Sequence, residues 1–223
     1  PERMKEETRN WPLEEAPRMR QDFTRINFGW LGYFVPGEAT IGTQPDMLEY
    51  VTSRAAAWDC PISIQSNLDA FANHPRTADN MEVIRRWEEV RAKRWLTEEQ
   101  KKQLQNVNKE HHLLMNEQDS LELLPYEQLN DVAGGNKEVR AFLFRRNREY
   151  YVTYWHISGE KKMELPINSM NATLYRDLGH EESIAFSHKK DAITIPVDDR
   201  RYLKVSSLSK KQLIEAFSKA IIY

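Results

Sequence analysis

Arg25-Ile26-Asn27-Phe28-Gly29-Trp30-Leu31-Gly32-Tyr33-Phe34 is the stretch on which the reading of this chain turns. It is apolar, aromatic and nearly uncharged. It is too short for a buried helix and carries two closely spaced glycines, so it predicts a buried strand. Val35-Pro36-Gly37-Glu38 follows as a loop. Thr43-Gln44-Pro45-Asp46 then predicts a helix start, with Thr43 as N-cap, Pro45 in the first turn and Asp46 near the positive end of the dipole. Met47, Leu48, Val51, Ala55 and Trp58 recur at helical spacing and predict one apolar face. Pro61-Ile62-Ser63-Ile64 reads as a second short buried strand.

Farther along, a polar loop is expected over residues 65–77, and then a helix over 79–95 with Glu82–Arg86 and Glu89–Lys93 as favourable i,i+4 pairs. Thr97-Glu98-Glu99-Gln100 is a capping-box pattern that opens another helix, to about Lys109. Strand, helix, strand, helix over residues 25–95 is the order of a parallel sheet or a (β/α) barrel. Toward the N-terminus, residues 1–22 are charged and punctuated by proline. They predict an irregular arm, with one helical turn near Leu13–Ala16 and no signal-peptide pattern at Pro1-Glu2-Arg3-Met4-Lys5.

Beyond Glu110 the pattern changes. Short segments at 112–116, 121–125, 139–146, 150–157, 162–167, 172–177, 183–187, 192–196 and 202–206 read as strands, several alternating with period two. Turn signals such as Asn147-Arg148, Ser158-Gly159-Glu160, Gly179-His180 and Asp198-Asp199 separate them. That spacing predicts an antiparallel β-sandwich. Ser209-Lys210-Lys211-Gln212 opens a closing helix with Leu213, Ile214, Phe217 and Ile221 on one face. The expected fold class is therefore α/β followed by all-β, with an α/β part over residues 1–110 and a sandwich with its C-terminal helix over 111–223.

Composition narrows the function. The 223 residues hold 32 Lys+Arg against 34 Asp+Glu, a formal net charge of -2. That balance argues against a general nucleic-acid binder, which needs a basic face to displace counterions from phosphates. No apolar run approaches the roughly 20 residues of a membrane-spanning helix. One cysteine, Cys60, excludes an internal disulfide and reads as a buried thiol. Eight glycines assemble no phosphate loop, and no Gly-x-Ser-x-Gly elbow is present. His111 and His112 are adjacent and so point apart on a regular element, which predicts no metal site. No cofactor is expected.

If the first part is a barrel segment, its reactive groups belong on the loops that follow the strands. The first loop holds Tyr33, Phe34 and Glu38; the second holds Gln65, Asn67, Asp69, His74 and Arg76. Glycosidic hydrolysis needs two carboxyl groups, one protonated and one ionised. Glu38 and Asp69 are the loop carboxylates available for such a pair, although solvated loop carboxylates are common. Trp30 and Tyr33 could stack on a sugar face or pack in a core. Asn67, His74 and Arg76 could bind substrate hydroxyls or carboxylates, or sit in a solvated loop or a helix cap. In the second part, Tyr150-Tyr151-Val152-Thr153-Tyr154-Trp155-His156 places two aromatic sets on opposite faces. One set is expected in the core, and the other either in an exposed carbohydrate-binding patch or in packing against the first part.

The segments Phe28-Gly29-Trp30-Leu31-Gly32-Tyr33-Phe34, Thr43-x-Pro45-Asp46 and Ala57-Trp58-Asp59, and Pro61-Ile62-Ser63-Ile64 together resemble the last two βα units of a (β/α)8-barrel glycoside hydrolase. Residues 139–144 and 150–156 are similar to strands of the β-sandwich that follows many such barrels. The resemblance covers about residues 25–207. It implies a carbohydrate-active hydrolase whose catalytic carboxylates stand on earlier strands outside this chain. Its partners would be carbohydrate and either the remainder of the same protein or another chain that completes the barrel. The expected compartment is extracellular or periplasmic. A non-catalytic carbohydrate-binding or protein-interaction module is the alternative.

Overall fold

The structure, a computed structural model, describes residues 5–6, 30–115, 120–179 and 182–223. The expected arm at 1–22 with its turn near Leu13–Ala16 and the start of the first strand at 25–29 lie outside the described residues, as does His180 of the expected Gly179-His180 turn. Two compact units divide between Leu113 and Leu114. The first is α/β and the second is rich in antiparallel strands. Among the described residues no helix is long and apolar enough to cross a membrane.

In the first unit, β1 (Trp30–Gly32) and β2 (Ser63–Gln65) pair in parallel, Trp30 opposite Ser63 and Gly32 opposite Gln65. Helix α1 (Pro45–Ala57) connects them, followed by α2 (Leu68–Asn73), α3 (Thr77–Ala92) and α4 (Glu98–Leu104). Thr43 does not cap α1. The N-cap is Gln44 and makes no side-chain cap bond, with proline in the first turn. Helix α2 lies within the segment expected to be loop; its signal was Asn67, whose side chain accepts from Ala70 N at 2.8 Å. The capping box opens α4 as expected, but the helix stops at Leu104.

Helix α1 was expected to bury one face, yet all thirteen of its residues are buried. It packs against both α3 and α4, so its polar residues must find partners inside. Asp46 lies 3.1 Å from Lys5 Nζ, which also donates to Glu110 at 2.9 Å. Glu49 accepts from Trp87 Nε1 at 3.3 Å and from Leu113 N at 2.8 Å, and its second oxygen lies 2.8 Å from His112 Nδ1. Arg54 donates to the carbonyls of Asn106 and Lys109 at 3.0 and 2.5 Å, and its guanidinium stacks 4.4 Å from the Tyr50 ring. These bonds tie α1 to the chain on either side of residue 108. That segment leads into β3 (Glu110–Met115), the strand in which the unit boundary falls.

The second unit has two antiparallel sheets. Strands β4 (Leu121–Gln128), β5 (Val139–Arg146), β6 (Glu149–His156), β8 (Ala172–Asp177), β9 (Glu182–Ile184) and β12 (Arg201–Val205) belong to a seven-stranded sheet in the order β3-β4-β5-β6-β12-β8-β9. Strands β7 (Lys161–Leu165), β10 (Ser187–Lys189), β11 (Ala192–Val197) and β13 (Ile221–Ile222) form the other, in the order β10-β11-β7-β13. Ala141, Leu143, Val152 and Leu203 from the first sheet share one core with Met163, Leu165, Ile193 and Ile195 from the second. Helix α5 (Lys210–Ser218) adds Leu213 and Phe217 to that core and starts with the expected Ser209 capping box. Ile221 is not on its face. The helix ends at Ser218, and Ile221 begins β13, where it is exposed.

The opposite face of β5 and β6 carries a second cluster. Phe142 stacks on Tyr126 at 4.8 Å and on Trp155 at 5.6 Å, and Phe144 stacks on Tyr151 at 5.4 Å. Trp155 is 1% exposed, so this set is not the exposed carbohydrate platform that was one of the two expectations for it.

The β5–β6 hairpin turns on Asn147 and Arg148, with φ of 50° and 69°. A two-residue turn with both φ positive is type I′, which favours Asn-Gly. Arg148 therefore holds a left-handed conformation that costs an L-residue about 1 kcal/mol. Arg148→Gly is expected to raise stability by about 0.5–1 kcal/mol, read as an upward shift of the urea midpoint at constant slope.

Candidate functional site

The site is built where β1 and β2 end. Tyr33 N donates to Gln65 O at 3.2 Å and carries the parallel ladder one step past the strands. The chain from Tyr33 to Thr43 then doubles back on itself. Thr43, the expected cap, is the clasp of this loop. Its hydroxyl accepts from Phe34 N at 2.9 Å and donates to Gly32 O at 3.1 Å, while Thr43 N donates to Phe34 O at 2.8 Å. Gly42 sits at φ +70°, where a Cβ would come within 2.6 Å of Pro36 N and 2.7 Å of Phe34 O. Only glycine lets the two limbs approach so closely. At the tip, Gly37 and Thr40 pair through their backbones, and Glu38 is carried between them into solvent.

Beneath the loops lies a buried polar network. Asn80 Nδ2 donates to Thr43 O at 3.0 Å and to Tyr33 Oη at 3.1 Å. Tyr33 Oη is 2.8 Å from Thr77 Oγ1, which donates to Phe71 O at 2.7 Å. Because the Thr77 proton is spent on Phe71, the Tyr33 hydroxyl must be the donor to Thr77. The chain of donors therefore runs Asn80, Tyr33, Thr77, Phe71. The Tyr33 ring stacks on Phe71 at 4.6 Å and lies 5.1 Å from His74.

His74 Nδ1 accepts from Arg76 N at 3.0 Å, which places the proton of the neutral ring on Nε2. Burial holds the His74 pKa below its ordinary value and the nearby Arg76 adds to this, against a raising contribution from the Thr43 carbonyl. His74 is thus neutral at physiological pH.

The sequence candidates separate into three groups on this geometry. Tyr33, His74 and Arg76 are buried and brought together with α3, so they set the loop positions from below. Asn67, Asp69 and Glu38 are exposed. Asn67 spends Oδ1 on the cap of α2, Asp69 lies in the first turn of that helix, and Glu38 is at the tip of the first loop. Neither carboxylate makes a hydrogen bond or ion pair among the described residues. Trp30 stands apart. It is 73% exposed and lies at the opposite end of β1 from the loops. Among the described residues no group of three or more His, Cys, Asp or Glu side chains could hold a metal ion. His112 turns to Glu49, and Cys60 is buried and in no disulfide, its thiol 3.5 Å from Trp58 O.

One exposed ring went unweighed in the sequence. Phe34 is 60% exposed although its neighbours along the chain are buried or half-buried. Its signal was the alternation Trp30, Gly32, Phe34, which sets these three opposite Leu31 and Tyr33.

Tyr33→Phe removes the link between Asn80 and Thr77 and leaves a buried donor without its acceptor. It is expected to lower stability by about 1–2 kcal/mol. Thermal unfolding measures this, and an unchanged midpoint would show that water replaces the hydroxyl.

No family model and no curated protein matches the chain. Among solved structures, a variant of AmyP in complex with maltotriose is 10% identical with a TM-score of 0.28, covering 74% of this chain and 35% of that one. AmyP in complex with maltose is 10% identical with a TM-score of 0.29, covering 82% of this chain and 41% of that one. The chain thus spans less than half the length of these proteins, and a likeness this low assigns neither fold nor activity.

Proposed function

We propose that this chain is the C-terminal portion of a carbohydrate-active glycoside hydrolase. Residues 1–110 would supply the last βα units of a (β/α)8 barrel, and residues 111–223 an accessory β-sandwich with its closing helix. One observation carries the reading. The parallel pair β1–β2 has Leu31 and Tyr33 on a face closed by helix α3, through Thr77 and Asn80, while its other face is open, with Trp30 73% and Phe34 60% exposed. Parallel sheets are covered on both faces in folded proteins, and neither β1 nor β2 has a second neighbour among the described residues. Further parallel strands of a barrel would satisfy both the open face and the open edges.

On this reading the loops after β1 and β2 form one wall of the sugar site. Glu38, Asn67 and Asp69 face it, while Tyr33, His74 and Arg76 hold those loops from beneath. Trp30, at the far end of its strand, would pack inside the closed barrel. The catalytic acid and the nucleophile or base would stand on other strands, since Glu38 and Asp69 share no contact and no enclosing apolar wall. The alternative, a binding module working through Trp155, is disfavoured by the burial of that ring.

Hydrolysis of a panel of nitrophenyl glycosides tests the proposal. This chain alone should release no nitrophenol, and a protein that joins it to the missing βα units should hydrolyse at least one member. Hydrolysis by this chain alone, abolished by Glu38→Gln or Asp69→Asn, would place the carboxylates here and overturn it. An inert longer protein would overturn it as well.

A further inference from the structure

His74 is the point at which the loops after β1 and β2 are pinned to α3. Its neutral ring has one acceptor, Nδ1, and that atom takes the bond from Arg76 N across the exposed Pro75. His74 O accepts from Thr77 N at 3.1 Å. Arg76, the N-cap of α3, makes no side-chain cap bond, so His74 holds the start of that helix in place of a cap. From Thr77 the hold passes to the first loop. Thr77 Oγ1 accepts from Tyr33 Oη, Asn80 Nδ2 donates to Tyr33 Oη and Thr43 O, and Thr43 clasps Phe34.

A proton on Nδ1 reverses this bond. The ring then donates at both nitrogens, and Nδ1–H meets Arg76 N–H, donor against donor. The new charge also lies away from water, since His74 is 3% and Arg76 4% exposed. Burial opposes that charge most and Arg76 opposes it as well, and the carbonyls of Thr43 and His74 offset them only in part. No carboxylate on the surrounding elements pairs with the ring. Asp46 at the start of α1 is engaged by Lys5, Asp69 is exposed on the first turn of α2, Asp79 is half-buried on the first turn of α3, and Glu38 is exposed at the tip of the first loop. A charged His74 is therefore disfavoured where it stands and favoured in water.

We propose that His74 is an acid-released latch: a proton taken from solvent at Nδ1 breaks the bond from Arg76, loosens the start of α3 and parts the loops after β1 and β2. The latch needs only contacts within the first unit and holds whatever ligand the loops serve. Release is favoured as pH falls below about 6.5, where the freed ring takes up its proton, and closure is favoured above it.

An NMR titration of the 15N-labelled full chain from pH 7.5 to pH 5 tests the latch. It follows the His74 ring nitrogens, the nuclear Overhauser contact between the Tyr33 and His74 rings, and the amides of Arg76 and Phe34. At pH 7.5 Nδ1 should carry no proton and the ring contact should be present. Toward pH 5 Nδ1 should gain its proton, the ring contact should fall roughly fivefold or more, and the two amides should shift with the same midpoint. The α1 amides should keep their folded positions throughout. His74→Asn can accept from Arg76 N through its side-chain oxygen, as in an Asx-turn, and takes up no proton, so both amides should stay fixed in that variant. A ring that protonates while the Tyr33 contact and the Arg76 amide persist overturns the latch, and so does a full titration in which no signal moves. Loss of the loop and α1 signals together would mean that the loops open only with the whole unit, and overturns it as well. A His74→Asn chain that responds as the wild type does assigns the proton elsewhere. A Phe34 amide that stays fixed while Arg76 moves overturns the coupling between the two loops.

Discussion

Glu49→Ala is expected to lower the stability of the first unit by about 3–5 kcal/mol, because it leaves three buried donors without the acceptor they share. Glu49 and His112 are 3% and 1% exposed, so neither can turn to water. The carboxylate serves Trp87 Nε1, Leu113 N and His112 Nδ1, and its removal strands all three. Each buried polar group left without a partner costs about 1–3 kcal/mol, and the truncated side chain leaves a cavity in addition. Glu49→Gln preserves the shape and one acceptor oxygen and should lose less. Scanning calorimetry of the full chain measures both variants. A loss of this size corresponds to a fall of more than about 10 °C in the midpoint of a domain of this length. A fall of less than about 4 °C for the alanine variant would mean that water enters the site and replaces the carboxylate.

Acidification should produce the second large effect. Burial lowers the His111 pKa to about 4, with Arg54 and Lys109 adding to the shift. The fold therefore holds this imidazole neutral, while the unfolded chain protonates it near 6.5. Between those values the unfolded state binds more protons, so stability falls as pH falls. The contribution is present in full above pH 6.5, is lost progressively down to about pH 4, and is constant below. Its size is on the order of 2–3 kcal/mol. His74 is shifted in the same direction and steepens the fall. Glu82 works lower on the scale. Burial pushes its pKa up, but hydrogen bonds from Arg85 and Arg86 outweigh this and bring it to about 2. Its contribution is full above its unfolded value and is lost as pH falls toward 2. Urea midpoints at pH 7, 5.5 and 4 measure the first stage. His111→Gln should flatten it, and an unchanged slope in that variant would assign the proton to another group.

Legibility from sequence followed the reach of the interactions. The capping boxes at Thr97 and Ser209 were readable because donor and acceptor lie three residues apart. Strands β7 and β11 were readable because Met163 and Leu165, and Ile193, Ile195 and Val197, recur with period two between clear turn signals. Thr43 illustrates the opposite case. Its composition fits an N-cap, but a better use for its hydroxyl lies nine residues back at Phe34 N, and the cap falls to the next position. The burial of Asp46, Glu49 and Arg54 was illegible for the same reason. Their partners Lys5, Leu113 and Asn106 are 41, 64 and 52 residues away. Periodicity alone assigns such residues to solvent. In the candidate site, the sequence placed Tyr33, His74 and Arg76 beside the right loops but could not tell a loop's upper side from its underside. Phe34 became visible only once the alternation of β1 was tied to the face that α3 leaves open.

A helix with no solvent-facing position also leaves a mark on exchange kinetics. The inner amides of α1 cannot reach deuterated solvent through fraying or a local breathing motion, because every side of the helix is held by another segment. They should exchange only through cooperative opening of the first unit, and their protection factors should converge on a single value. That plateau would report the global unfolding free energy of the unit directly, without any denaturant.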